Sequence, residues 1–126
     1  MKSLLVLAVM MLPALAAMAQ TTGSTAFPAD AAAASASDIQ QRLAGKTFNI
    51  KLADGSLWHV QYSTDGAFDF STNKGFTDKG EWKAEDGKVC SKGRKIGSSC
   101  NEIRIKGDAI FLKRDNGEVV EFVEQH

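Results

Sequence analysis

The chain is short of the residues that carry most protein chemistry. Its 126 residues include two histidines, two cysteines, two tryptophans and one tyrosine. Each shortage excludes something. With one internal histidine, His59, and one at the end, His126, there is no His-x-x-x-His pair and no Cys/His set spaced for zinc. No Gly-x-Ser-x-Gly turn presents a nucleophile, and no glycine-rich segment or EF-hand loop cradles a phosphate or calcium. Cys-x-x-Cys is absent, so a redox-active thiol pair is not encoded. Cationic and acidic residues balance at 15 each, which removes any global attraction to nucleic acid or to a membrane surface.

Long apolar runs are also missing, with one exception that is itself too short. Leu4 to Ala19 carries no charge, but it has sixteen residues and is interrupted by Pro13; a spanning helix needs roughly 20. Met1-Lys2-Ser3 before it and Ala17-Met18-Ala19 at its end give the pattern of a secretory signal, with cleavage expected before Gln20. No cysteine stands near that point to take a lipid anchor, so no membrane anchor is expected after cleavage. Removing residues 1–19 leaves 107, with 14 cationic and 15 acidic side chains, a net charge of −1. One domain fits that length.

Residues 20–36 are mainly Ala, Ser, Thr and Gly, with Phe27 the only bulky apolar side chain. Such a stretch buries too little to offset its ordering entropy, so a flexible leader is expected. The run Ala31 to Ala34 is too short to hold a helix unless docked. Ser37 to Gly45 has the grammar of a short helix: Ser37 to cap, Gln40 three residues on, Ile39 and Leu43 on one face, Gly45 to end it.

From Lys46 the hydrophobic period becomes two. Phe48, Ile50 and Leu52 alternate with polar residues, then Trp58, Val60 and Tyr62, then Phe68 and Phe70. Trp82, Val89, the pair Ile103 and Ile105, Ile110 and Leu112, and Val120 and Phe122 continue the pattern. Asp54-Gly55, Asp65-Gly66, Asp86-Gly87 and Asn116-Gly117 punctuate it, a strong hairpin signal if both turn residues take positive φ. The spacing predicts an all-β domain over residues 37–126: an antiparallel meander of seven or eight short strands with one N-terminal helix. A one-faced apolar sheet of this length curls into a small barrel, closing its edges, with the helix over one end; a flat sandwich is the alternative.

Cys90 and Cys100, an even count in an exported chain, predict a disulfide. Closing that loop contributes about 3 kcal/mol on the chain-entropy model. Around it the charge is uneven. Lys88 to Arg114 holds eight cations against Glu102 and Asp108, whereas Asp115, Glu118, Glu121 and Glu124 follow. Opposite charges paired across neighbouring strands account for this better than an anion-binding patch does, because acidic segments flank the basic ones.

Several short segments recur together: Leu43-Ala44-Gly45-Lys46-Thr47, Tyr62-x-x-Asp65-Gly66, Gly80-Glu81-Trp82, Asp86-Gly87-Lys88-Val89-Cys90, the second Cys100, and Asn116-Gly117-Glu118. In this order the chain resembles a group of small exported proteobacterial proteins with a lipocalin-like, or calycin-like, β-barrel, over about residues 39–123. The resemblance implies fold and compartment, periplasmic or secreted. It brings no catalytic residues, because its motifs are turn and packing residues.

Catalysis needs a titratable group poised near neutral pH, a metal or an activated nucleophile. Alternation with Trp58 and Val60 aims His59 at solvent. Asp54, Asp65, Asp69, Asp78, Glu81 and Asp86 include turn residues that serve the backbone. No enzyme, metal or cofactor is expected. Binding is the better class. Trp58, Tyr62, Phe68, Phe70, Trp82 and Phe111 either fill the barrel or line an apolar cavity open at one end, with Phe111 out of phase with Ile110 and Leu112. Lys92, Arg94, Lys95 and Ile96 form a basic loop that the disulfide would hold rigid for a partner. The expectation is an exported non-catalytic module for a small apolar or anionic ligand or an envelope component. The alternative is an inhibitor or adaptor of an envelope protein acting through the loop at 90–100. Nucleic acid is not an expected partner.

Overall fold

The structure, a computed structural model, describes residues 24–126. The expected signal at residues 1–19 therefore lies outside the described residues. The order of elements is β1 (Ala32–Ala33), α1 (Ala36–Leu43), β2 (Lys46–Lys51), β3 (Leu57–Tyr62), β4 (Ala67–Thr72), β5 (Thr77–Glu85), β6 (Lys88–Gly93), β7 (Gly97–Lys106), β8 (Ala109–Lys113) and β9 (Val119–Glu124). From β2 to β9 each strand pairs antiparallel with the next, and β9 returns to β2. Eight strands thus close into a barrel, the expected one of the two arrangements, and not a flat sandwich; β1 is an extra strand on the edge of β7.

Register follows the two-residue period. Phe48 faces Val60 and Val60 faces Phe70, while Tyr62 faces Phe68, so that one side of each strand is apolar. These side chains join Trp82, Val89, Ile103, Ile110, Leu112, Val120 and Phe122 in a single interior cluster. A slip of one residue would turn every one of them to water, which is why the register is well specified.

The turns lie where the Asp-Gly and Asn-Gly pairs placed them, but their geometry differs from that expectation. Among the described residues glycine alone takes positive φ; no Asp or Asn does. At Ser63 to Ala67, Gly66 N–H donates to Ser63 O (3.2 Å) and Ser63 N–H to Ala67 O (2.8 Å), a three-residue loop with glycine in the left-handed position. The loops starting at Leu52, Thr72 and Arg114 repeat these two bonds. Asp54, Asp65 and Asn116 then accept the N–H two residues on, at 2.8, 3.1 and 3.0 Å. That side-chain bond favours an ordinary negative φ for the acidic or amide residue, leaving positive φ to glycine.

Two expectations for the N-terminal part need correction. The helix is capped by Ser35, whose hydroxyl accepts from Asp38 N–H (3.2 Å), so it begins a turn's fraction earlier than a Ser37 cap would place it. Gly45 does take the left-handed conformation, φ +76°, and its N–H donates to Tyr62 O (2.7 Å). The stretch expected as a flexible leader is, from Ser24 on, laid against the barrel. Ser24 O accepts Val119 N–H (2.7 Å), the Arg104 guanidinium stands 4.6 Å over the Phe27 ring, and Lys106 pairs with Asp30 at 2.9 Å. Ala32 and Ala33 are strand, not helix, opposite Ile105 and Arg104. The physical reason is the sheet's own geometry. β6 reaches only as far as Glu102, so the end of β7 has unpaired backbone groups that another strand must satisfy. Composition alone does not reveal that vacancy.

Candidate functional site

The barrel is filled at one end and hollow at the other. At the filled end α1 lays Ile39 and Leu43, both fully buried, over the strands. Beneath it Trp82 donates its indole N–H to Ser63 O (3.0 Å) and meets Tyr62 edge-on at 4.9 Å between ring centres. Phe48 and Phe122 complete this plug. At the other end the β4–β5, β6–β7 and β8–β9 loops surround the mouth of a cavity of about 540 Å³. Its walls are Ile50, Val60, Phe68, Phe70, Val89, Leu112 and Phe122, with Trp58 high on the wall and Tyr62 at the floor. The volume lies within the usual range for a small-molecule site.

Trp58, Tyr62, Phe68 and Phe70 are thus brought together on the cavity wall. Trp58 and Phe70 pack edge to face at 5.2 Å, and Phe70 meets Phe76 the same way at 6.1 Å. Trp82 and Phe111 are not part of it. Trp82 sits in the plug, because its place on β5 lies toward the helix. Phe111 alternates with the buried Ile110 and Leu112 and so turns outward, level with Arg104 and Glu121 on the neighbouring strands.

The charged groups at the mouth are already engaged. Arg114 pairs with Glu118 and lies 4.5 Å over the Trp58 ring. Glu118 also accepts Ala53 N–H (2.9 Å), which ties the β8–β9 loop to the β2–β3 loop. Asn101 donates to Asp115 (2.8 Å) and to Lys113 O (3.1 Å). Lys95 donates to Thr77 O (2.7 Å) and stands 5.4 Å over Phe76.

Tyr62 is 4% exposed and takes part in no side-chain hydrogen bond among the described residues. Burial pushes its phenol well above the ordinary range, so the ring stays neutral.

The basic loop is built differently from expectation. Cys90 and Cys100 are bonded, as their even number implied. They face each other directly across β6 and β7, and the ladder continues past them through Ser91 with Ser99, Lys92 with Ser98, and Gly93 with Gly97. Lys92 is therefore a strand residue, and only Arg94, Lys95 and Ile96 form the turn. What holds that turn is the buried carboxylate of Asp78, which accepts N–H bonds from Ile96 (3.0 Å), Lys95 (3.2 Å) and Lys79 (2.8 Å). Burial by itself would raise the Asp78 carboxyl; those N–H bonds and the Lys95 charge outweigh it and hold the group below the ordinary 3.8. Gly93 makes room, since a Cβ there would collide with that carboxylate. The result sets Ile96, 51% exposed, on the lip of the cavity.

Asp78 is the residue that sequence reasoning missed. A signal for it existed: it is in phase with Gly80 and Trp82, an acid on the inward side of a strand. His59 is exposed on the outer face with Nδ1 2.9 Å from Asn49 Oδ1, as alternation implied. Glu85 lies within 4.8 Å of both cysteine sulfurs, but a metal would need thiolates, and these sulfurs are bonded to each other.

Among the described residues no helix is long and apolar enough to cross a membrane, and the disulfide suits an oxidising compartment. In comparisons with known proteins the chain matches no family model, no curated protein and no solved structure.

Proposed function

We propose that this is an exported, non-catalytic binding module that takes a small apolar ligand into the open end of its barrel. The observation that carries the reading is the half-filled interior: α1 and the aromatic plug stop one end, while Trp58, Phe68 and Phe70 surround empty space at the other. A barrel needing only a core would fill that space with side chains, because close packing is the stable state of an interior. Catalysis is left out because Arg114 and Glu118 at the mouth pair with each other, Asp115 is held by the Asn101 amide, and His59 lies outside.

The test is a titration of the oxidised mature protein with the neutral fluorophore N-phenyl-1-naphthylamine. Saturable binding is expected, weakened roughly tenfold or more in Trp58→Ala and Phe70→Ala, about 1.4 kcal/mol or more of lost contact. Arg94→Glu with Lys95→Glu leaves it intact. No saturable uptake, or uptake indifferent to Trp58 and Phe70, would remove the proposal.

One observation favours a second reading, an inhibitor or adaptor of an envelope protein. The turn Arg94-Lys95-Ile96 is pre-ordered by Asp78, and a rigid turn loses little entropy on docking. That reading predicts the reverse pattern, with a captured envelope partner lost in the Arg94/Lys95 variant and kept in Phe70→Ala.

A further inference from the structure

The cavity reading can be taken one step further, to the chemistry of what enters, and the step rests on that reading. The cavity floor carries Tyr62, whose ring is almost wholly buried and whose hydroxyl takes part in no side-chain hydrogen bond among the described residues; since no enclosed side-chain nitrogen or oxygen there lacks a partner, that hydroxyl is open to the cavity. A donor that faces an otherwise apolar cavity is satisfied by cavity water or by an acceptor on whatever displaces that water. The other hydroxyls on the wall differ. Ser91 and Ser99 are half-buried nearer the mouth, and Ser99 already donates to Asn101 (3.2 Å). Thr72 accepts the N–H groups of Lys74 and Phe76 in its own turn.

Charge points the same way. Arg114 is committed to Glu118 and to the face of Trp58, and Lys95 to Thr77 O and the face of Phe76. Neither stands at the floor. A carboxylate or sulfonate carried down to Tyr62 would lose its water and meet no counter-charge, which is strongly unfavourable. A phenol is a good donor, and burial keeps its proton on. We infer that the ligand is an uncharged, largely apolar molecule that enters with a carbonyl-type acceptor leading, and that Tyr62 donates its O–H to that oxygen. A ketone, ester or tertiary amide meets the requirement, since each offers an acceptor with no donor of its own to leave unpaired. The apolar body then lies along Phe68, Phe70 and Trp58 toward the lip at Ile96.

Three naphthalene probes of similar size separate the possibilities: naphthyl methyl ketone, ethylnaphthalene and naphthoate. Their dissociation constants are measured on the oxidised wild-type protein, on Tyr62→Phe and on Ser91→Ala. The ketone should bind about three- to tenfold more tightly than ethylnaphthalene, the worth of one buried hydrogen bond. Tyr62→Phe should erase that preference without weakening ethylnaphthalene, Ser91→Ala should leave it, and naphthoate should bind weakest. If Tyr62→Phe does not fold, the infrared carbonyl stretch of the ketone bound to wild type decides instead, lowered by a hydrogen bond or unshifted from its value in hydrocarbon. Equal binding of ketone and hydrocarbon, an unshifted stretch, a preference lost in Ser91→Ala alone, or naphthoate as the tightest probe would each overturn the inference while leaving the cavity reading standing. Failure of all three probes to bind would overturn both.

Discussion

At the scale of single residues, two buried titratable side chains tie this structure to pH in opposite directions. Asp78 accepts from three backbone N–H groups and has its native pKa held below 3.8, so its contribution to stability is fully present above that value and is lost as pH falls through the lower native one. Asp78→Asn should therefore lower the melting temperature at neutral pH, with faster amide exchange at Lys95 and Ile96. The gap to wild type should narrow as the solution is acidified below 3.8; a gap constant with pH would show that ionisation of Asp78 does nothing for the turn. Tyr62 acts at the other end of the scale. Its native pKa is raised above the ordinary 10.0, so the unfolded chain releases this proton first, and stability falls as pH rises beyond that value. Because it is the only tyrosine, the near-ultraviolet rise of phenolate absorbance reports on it alone. That rise should coincide with unfolding seen by circular dichroism. Ionisation with the fold intact would mean that burial of the ring does not hold the proton.

At the scale of elements, α1 is a short helix of eight residues that would not persist alone, and two side chains hold it. Leu43→Ala should cost about 2–5 kcal/mol in urea unfolding, because the strands around the plug cannot collapse into the space. The cost should fall on the whole domain rather than on the helix, since Leu43 shares the core with Phe48, Tyr62 and Trp82. A loss below about 1 kcal/mol would mean that the helix is not what stops that end of the barrel. The hairpin β6–β7 makes a different point. Replacing both Cys90 and Cys100 by Ser should cost about 3 kcal/mol, the entropy of the freed loop. It should leave the order of the Arg94-Lys95-Ile96 turn untouched, because Asp78 and not the disulfide grips it. Loss of Ile96 amide protection in the double variant would return that role to the disulfide.

At the scale of the whole molecule, closure settles where function can reside. Eight paired strands leave no long open edge, and the short free stretch of β7 is covered by β1. The outer face of the barrel is mainly polar, and the mouth is ringed by groups that pair with each other. The interior at the mouth is the apolar space that the closed strands themselves enclose. A ligand that enters it binds the folded chain alone, and saturation at a hundred times its dissociation constant adds about 2.7 kcal/mol of stability. The melting temperature should rise accordingly with N-phenyl-1-naphthylamine, and the rise should vanish in Phe70→Ala. The same shift in both proteins would mean that the probe binds elsewhere.

Local order along the chain determined a great deal of this architecture. The period of two from Phe48 to Phe122, interrupted by Asp-Gly and Asn-Gly, was enough for antiparallel strands, the positions of their turns, their inward faces and the pairing of Cys90 with Cys100, because each depends on residues close in sequence or on simple counting. The helix over one end followed from Ile39 and Leu43. Other features belong to tertiary structure alone. Whether Trp58, Phe68 and Phe70 fill space or surround it depends on where eight strands meet, not on any one of them. Trp82 fell into the plug and Phe111 outside for that reason. The vacancy on β7 that captures Ala32 and Ala33 arises from unequal strand lengths across a pairing, and Asp78 meets its turn across 18 residues of chain. Such contacts are made by closure of the barrel, and a linear pattern carries no record of the distances that closure creates.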